Sequence, residues 1–320
     1  RDARVHLIGS YYIPFRATRP NSTGATCRAH AAFAHRTHLS ASATLAHDLQ
    51  IGLQIGTHHA RHCRMNTSTS RNTVVHDPVW TKLVAASQME ALRLVHGALE
   101  RASISTLLGG AFGIARHVDH WRGTKDIDLL LRPADRERAI DVVLQLGFSD
   151  YHTELAYDRS WIFRAYRDDM LVDLIWTLPN HVTNVDSSWF EHAVRLSIDE
   201  FEYRVVAVEE LIWIKLFVMQ RDRCDWPDVL NLLRCNIGRI HWRRLLDRMG
   251  DHEPLLRAVL LVLGWLAPGI IQEVPAWVRE RFALDDRPPS ETTLEMQRAA
   301  LLDSRPWYAA ALPQDVLLSP

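Results

Sequence analysis

Lysine is nearly absent. The chain holds three, Lys82, Lys125 and Lys215, among 37 basic residues. Where arginine is the default cation, a retained lysine points to a need for a compact ammonium, for example on a phosphate. Cysteine is scarce as well: Cys27, Cys63, Cys224 and Cys235 are the whole set, and none forms a CxxC pair in a chain of 320 residues. That argues against a disulfide framework and fits a reducing cytoplasm. Long apolar runs are missing. The longest, AVLLVLGWLAPGII from Ala258 to Ile271, carries Gly and Pro and reads as a buried helix, too short to span a bilayer. Strong net charge is missing too, but the formal value of −1 hides an asymmetry. Residues 1–64 contain eight arginines, two acids (Asp2 and Asp48), and no Lys or Glu, which leaves 29 basic against 36 acidic residues in the rest. A mildly acidic body argues against broad electrostatic binding to a nucleic-acid duplex.

What is present divides unevenly along the chain. Residues 1–64 are rich in His, Arg, Thr, Ser and Ala and show no sustained period. Two origins fit this composition: an upstream stretch translated from a start placed too early, or a targeting peptide. The cluster HHARHC, His58 to Cys63, lacks a second ligand pair at zinc spacing and is expected to be incidental. The expected organisation is a poorly ordered or artefactual extension over 1–75, an α/β unit over 76–205, a helical unit over 206–284 and a Pro-rich, loosely ordered tail over 285–320.

From Asp77 onward the pattern is orderly. VWTKLVAASQMEALRLVHGALERA has helical spacing, with Asp77 placed to cap it and Pro78 in its first turn. ISTLL reads as a short strand, AFGIARHV as a helix, DIDLLL as a strand, and ADRERAIDVVLQLGF as an amphipathic helix ending at Gly147. SWIFRAYR and MLVDLIWT alternate as strands about an Asp-Asp turn, and SIDEFEYRVVA reads as a further hairpin. After Ala207 the chain turns helical. The fold class is therefore α+β: a mixed sheet with flanking helices, followed by a helical unit.

The chemistry concentrates in LLGGAFGIARHVDHWRGTKDIDLLL, Leu107 to Leu131. Strand side chains repeat every two residues, so Asp126 and Asp128 share a face while Ile127 enters the core. Two carboxylates at that spacing suit hard cations such as magnesium, which prefer oxygen ligands. Asp173, inside the apolar run MLVDLIW, is costly to bury without a partner. It would complete an acidic cluster if its strand lies beside DIDLLL, as a metal ligand or as the acceptor of a nucleophile's proton; the alternative is a pair with an arginine such as Arg164. Gly109 and Gly110, between a strand and a helix, let backbone N–H groups approach phosphate oxygens. Arg122 and Lys125 add positive charge nearby. His117 and His120 are expected at the surface or in capping positions.

The order strand, GG, helix, DxD strand, later strand with Asp resembles the signature of the nucleotidyltransferase superfamily whose fold is shared with DNA polymerase beta. Within it, GG.A, R.T.DIDL and the following GF resemble bacterial stand-alone nucleotidyltransferases, abortive-infection toxins among them. The resemblance spans about Ser105 to Arg234. It implies that Gly109 and Gly110 hold the triphosphate, that Asp126, Asp128 and Asp173 are the catalytic and metal-binding positions, and that two magnesium ions and a nucleoside triphosphate such as ATP are required. Ala111 stands where many members have Ser, so a hydroxyl contact to phosphate is missing. VEELIWIKLFVMQRDRCDWPDVLNLL is similar to a downstream KL…R…D..D segment of those proteins. Lys215, with Arg221 or Arg223, is then expected on the triphosphate, with Asp225 and Asp228 orienting the cations; a helix cap is the other role open to Asp225. Near these motifs, Trp176, Trp213 and Trp226 are expected in the core. The implied activity is nucleotidyl transfer to a hydroxyl acceptor, which could be a small molecule, a protein or an RNA end. The alternative is a non-catalytic nucleotide- or partner-binding module, one half of a toxin–antitoxin-like pair with a cognate regulatory protein. No membrane is expected to take part.

Overall fold

The computed structural model describes residues 74–180, 182–284 and 292–302. The expectations for residues 1–73, including the HHARHC cluster, lie outside the described residues. A two-residue strand β1 (Val75–His76) is followed by a single tight turn over Val79–Leu83 and then α1 (Ala86–Arg101). The one helix expected here is two pieces, because Val84 and Ala85 are extended between them. Asp77 caps neither piece. Its carboxylate accepts from the Asp199 amide at 2.7 Å, and its own N–H donates to the Ser197 carbonyl at 2.9 Å, so it fastens a strand edge instead.

There follow β2 (Thr106–Leu108), α2 (Gly110–Val118), β3 (Asp126–Leu131), α3 (Arg136–Gln145), β4 (Ser149–Asp150), β5 (Ile162–Arg167) and β6 (Met170–Ile175). Next come α4 (Ser187–Glu191), β7 (Val194–Ile198) and β8 (Phe201–Val205). The eight strands form one mixed sheet in the order β1-β7-β8-β2-β3-β6-β5-β4. β3 is central, antiparallel to β2 and parallel to β6; β6 is antiparallel to β5.

The remainder is helical: α5 (Val208–Leu216), α6 (Trp226–Asn236), α7 (Trp242–Met249), α8 (Glu253–Leu266), α9 (Pro268–Ile271), α10 (Ala276–Phe282) and α11 (Thr292–Leu301). The last of these corrects the expectation of a loose tail in part. Within residues 292–302 the chain is a helix that buries Ala299 and ties Glu295 to Arg234 at 3.3 Å. Among the described residues no helix is long and apolar enough to cross a membrane.

Two hydrophobic cores explain how the sheet is held. On one face Ile127, Leu129 and Leu131 pack with Val172 and Leu174 against Leu92, Val95 and Leu99 of α1 and Ala139 and Val143 of α3. On the other, Leu130, Ile162 and Ile175 join Leu211, Ile212, Leu232 and Leu233 of the helical unit. Alternation along each strand assigns the faces. Asp126, Asp128, Asp173 and Arg164 therefore project from the sheet face that the helical unit covers. The helical unit is anchored there by Asn236, whose amide donates to the His117 carbonyl at 3.1 Å.

Candidate active site

The three aspartates meet because of register. β3 and β6 run in parallel with Asp128 opposite Asp173, and Asp126 stands one pleat earlier on the same face. One carboxylate oxygen of each lies within 4.8 Å of the others. Asp173 is almost fully buried, with 1% of its side chain exposed, whereas Asp126 keeps 30% open to solvent. Burial first, then repulsion from Asp126 and Asp173, holds the Asp128 carboxyl well above the ordinary aspartate range; Lys215 and Arg223 pull against that. Burial also raises Asp173, to about 6, against the opposing pull of Arg164. For both carboxyls burial is the first cause, and the neighbouring cations offset it only in part.

The glycines shape the crevice. Gly110 has φ +49°, and a β-carbon built on it would lie 1.6 Å from Oδ2 of Asp128. Only glycine lets the first turn of α2 come this close to the carboxylate. The Gly109 amide takes a different part from the one expected. It donates to the Asp128 carbonyl at 2.9 Å, so here it locks β2 to β3 and does not point at a ligand.

Cations surround the acids in two groups. Arg164, opposite Asp173 across the β5–β6 pair, forks onto it: Nε donates to Oδ1 at 2.7 Å and Nη2 to Oδ2 at 2.5 Å. Its Nη2 also lies 3.5 Å from Asp126. The pair with Arg164 and the place in the cluster were alternatives for Asp173 in the sequence; the structure realises both. The second group comes from the helical unit. Lys215 on α5 is buried, with Nζ 2.8 Å from both Asp225 and Asp228. Burial pulls its ammonium down, but the two carboxylates outweigh it and leave Lys215 above its ordinary value. Asp225 stands at the start of α6 without making a side-chain capping bond; its carboxylate is held by Lys215 and by both arms of Arg223 at 3.0 Å. Burial opposes its charge, yet these cations keep it well below the ordinary carboxylate range. Arg122 closes the group on Asp228 at 3.1 Å.

Not every expected residue joins. Lys125 is exposed ahead of β3, and Arg221 is exposed in the loop between α5 and α6, with no ion pair to the cluster among the described residues. Arg223 faces the carboxylates in its place, feeling both Asp126 and Asp128. Thr124, the T of R.T.DIDL, has no role assigned by the resemblance. Its hydroxyl donates to Oδ1 of Asp126 and orients that carboxylate. His117 is not at the surface: it is buried in α2, and its Nε2–H donates to the Val206 carbonyl at 2.8 Å. Trp176 and Trp213 are buried as expected, and Trp226 is half-buried with its indole N–H donating to the Leu216 carbonyl.

The donor set is all carboxylate and its oxygens converge within 4.8 Å, so the residues fit a magnesium-sized hard cation. No protein-family model and no curated protein matches the chain. Solved structures overlap it loosely. For the antibiotic-resistance factor ANT(2'')-Ia the match covers 55% of this chain and 97% of that one, at 15% identity and TM-score 0.39. For the lincosamide antibiotic adenylyltransferase LnuA the coverage is 47% and 96%, at 13% identity and TM-score 0.34. For JHP933 from Helicobacter pylori it is 72% and 95%, at 13% identity and TM-score 0.32. Overlaps this loose carry no functional argument.

Proposed function

We propose that this protein is a divalent-cation-dependent nucleotidyltransferase, moving a nucleotidyl group from a nucleoside triphosphate to an acceptor hydroxyl. One observation carries the reading: three aspartates from two adjacent parallel strands converge to within 4.8 Å at a glycine-lined helix start, beside a cationic wall. A structural ion pair needs no such excess of carboxylates on a covered sheet face, where each costs free energy.

In the proposed reaction the acceptor oxygen bonds to the α-phosphorus, the bond to pyrophosphate breaks, and the hydroxyl proton passes to a carboxylate of the cluster. Magnesium held by Asp126 and Asp128, with Asp173 completing the set, would neutralise phosphate charge. The chain's own part is positioning and electrostatic preorganisation. Thr124 fixes the Asp126 carboxylate, and Gly110 sets the distance between α2 and Asp128. Lys215, Arg223 and Arg122 form a cationic wall for the triphosphate, kept in place by Asp225 and Asp228. In this reading the sheet unit, 76–205, supplies the acids and the helical unit, 206–284, supplies most of the cations, so the substrate lies between them.

The four α-labelled nucleoside triphosphates, incubated with magnesium and the full chain, test the proposal. Label on the protein or on an added small-molecule, protein or RNA acceptor is expected from the wild type and not from Asp126→Asn. Full transfer by Asp126→Asn would overturn the cation assignment. Triphosphate binding by calorimetry without any transfer would favour a non-catalytic module, a reading that the Arg164 fork on Asp173 and the committed Gly109 amide also suit.

A further inference from the structure

The acidic cluster already contains a cation of its own. Arg164 is 4% exposed, and its guanidinium engages both oxygens of Asp173 while reaching Asp126 with the same Nη2. Several contacts hold it there. The Arg164 amide donates to the Tyr157 hydroxyl at 2.9 Å, and its guanidinium carbon stands 5.9 Å from the centre of the Tyr151 ring. β5 pairs with β6 along its whole length, so the arginine's Cα is fixed opposite that of Asp173. A forked guanidinium on a carboxylate is rigid, and unlike an ammonium it does not lose its proton in a protein.

Two magnesium ions sharing three carboxylates sit about 3.5–4 Å apart. Here the edge between Asp126 and Asp173 is spanned by Nη2 of Arg164, at 3.5 Å from one and 2.5 Å from the other. Among the described residues, no ion pair that spans Asp126 and Asp128 in the same way stands beside the contacts of Arg164 with Asp126 and Asp173. Asp128 instead packs its Oδ2 into the place a β-carbon on Gly110 would take, and Lys215 and Arg223 act on it only as more distant charges.

We propose that Arg164 permanently takes one of the two cation positions, so that the site accepts a single divalent ion, held by Asp126 and Asp128. Asp173 then serves chiefly as the anchor of Arg164. Arg164 is a positioning residue: it sets how many ions bind and supplies the fixed positive charge that a second ion would bring. This inference rests on the cation site of the proposed function and goes beyond it in the count and in the residue that sets the count.

Manganese titrated into the full chain, followed by electron paramagnetic resonance, separates the outcomes. The wild type is expected to bind one ion with an uncoupled six-line spectrum. Arg164→Gln is expected to bind two, with the broadened spectrum of a spin-coupled pair. Arg164→Lys, which keeps a positive charge, is expected to stay at one. A coupled pair in the wild type overturns the inference and leaves the cation site standing. A single uncoupled ion in folded Arg164→Gln also overturns it. No bound manganese in the wild type overturns the inference together with the cation site on which it rests. Should Arg164→Gln fail to fold, the wild-type spectrum still decides, since one uncoupled ion supports the inference and a coupled pair refutes it.

Discussion

Gly110 and Asp128 stand so close that a β-carbon on the glycine would overlap the aspartate's Oδ2 at 1.6 Å. The contact joins the start of α2 to the central strand. It makes the placement of the carboxylate depend on a residue with no side chain.

Gly110→Ala should therefore fail twice. The backbone there has φ +49°, which costs a side-chain-bearing residue about 1–2 kcal/mol, and the methyl must also push Asp128 aside. The expected result is a loss of about 2 kcal/mol or more in urea unfolding, together with weaker manganese binding. Gly147→Ala is the control. It also has positive φ, at +85°, but nothing lies within 4 Å of its missing β-carbon, so it should cost stability without touching cation affinity.

Asp128→Asn should stabilise the protein in the absence of metal. The aspartate must carry charge against burial and two like neighbours, or take up a proton to escape it; an amide does neither. A gain of about 1 kcal/mol is expected by calorimetry in chelator, with loss of the magnesium-dependent rise in Tm that the wild type should show. A variant less stable than wild type in chelator would mean that the carboxylate is well paired without metal.

Much of this arrangement was legible in the sequence, for local reasons. The DxD alternation places two acids on one strand face whatever the rest of the fold does, and a glycine pair between strand and helix marks a close backbone approach. The long-range relations were not legible. Nothing in the spacing from Asp128 to Asp173 fixes β3 beside β6 in that register, and only the register puts Arg164 on Asp173. The choice between Arg221 and Arg223 was hidden for another reason. The loop MQRDRC has no period; Gln220 N–H donates to the Arg223 carbonyl at 2.7 Å and Met219 pairs with Cys224, and although both arginines are exposed, the turn brings Arg223 onto Asp225. His117 misled because a histidine late in a helix looks like a C-terminal charge, whereas the helical unit buries it.

Lys215→Met should be among the more damaging single changes outside the apolar core. It leaves Asp225 and Asp228 buried with only Arg223 and Arg122 to answer them. Removing one partner of a buried ion pair costs about 3–5 kcal/mol, and the remaining arginines place the expected loss near the lower end. Adding Asp225→Asn and Asp228→Asn to that variant should recover part of the loss in a urea titration, because the two buried side chains then carry no charge, while Arg122 and Arg223, 28% and 44% exposed, keep theirs in contact with solvent. A triple variant no more stable than Lys215→Met would show that lysine packing, and not charge balance, is what the site needs.

His117 gives a pH dependence whose sign is fixed by its surroundings. Burial lowers its pKa from 6.5 to about 4, with Arg116 and Arg239 lowering it further, against the Val206 carbonyl and Glu209, which raise it. The folded state therefore keeps this imidazole neutral, while the unfolded chain protonates near 6.5. Its contribution is fully present above that value and fades as pH falls toward 4, by up to about 3 kcal/mol for a shift of this size. His96, also lowered by burial, acts in the same sense, so the measurement must be a difference. Urea unfolding of the wild type and His117→Gln at pH 7.5, 6.5, 5.5 and 4.5 supplies it. The glutamine can keep a donor for the Val206 carbonyl but does not titrate, so its profile should be flatter, with the gap in stability narrowing as pH falls. Parallel profiles would show that His117 is protonated no less readily in the folded protein than in the unfolded chain.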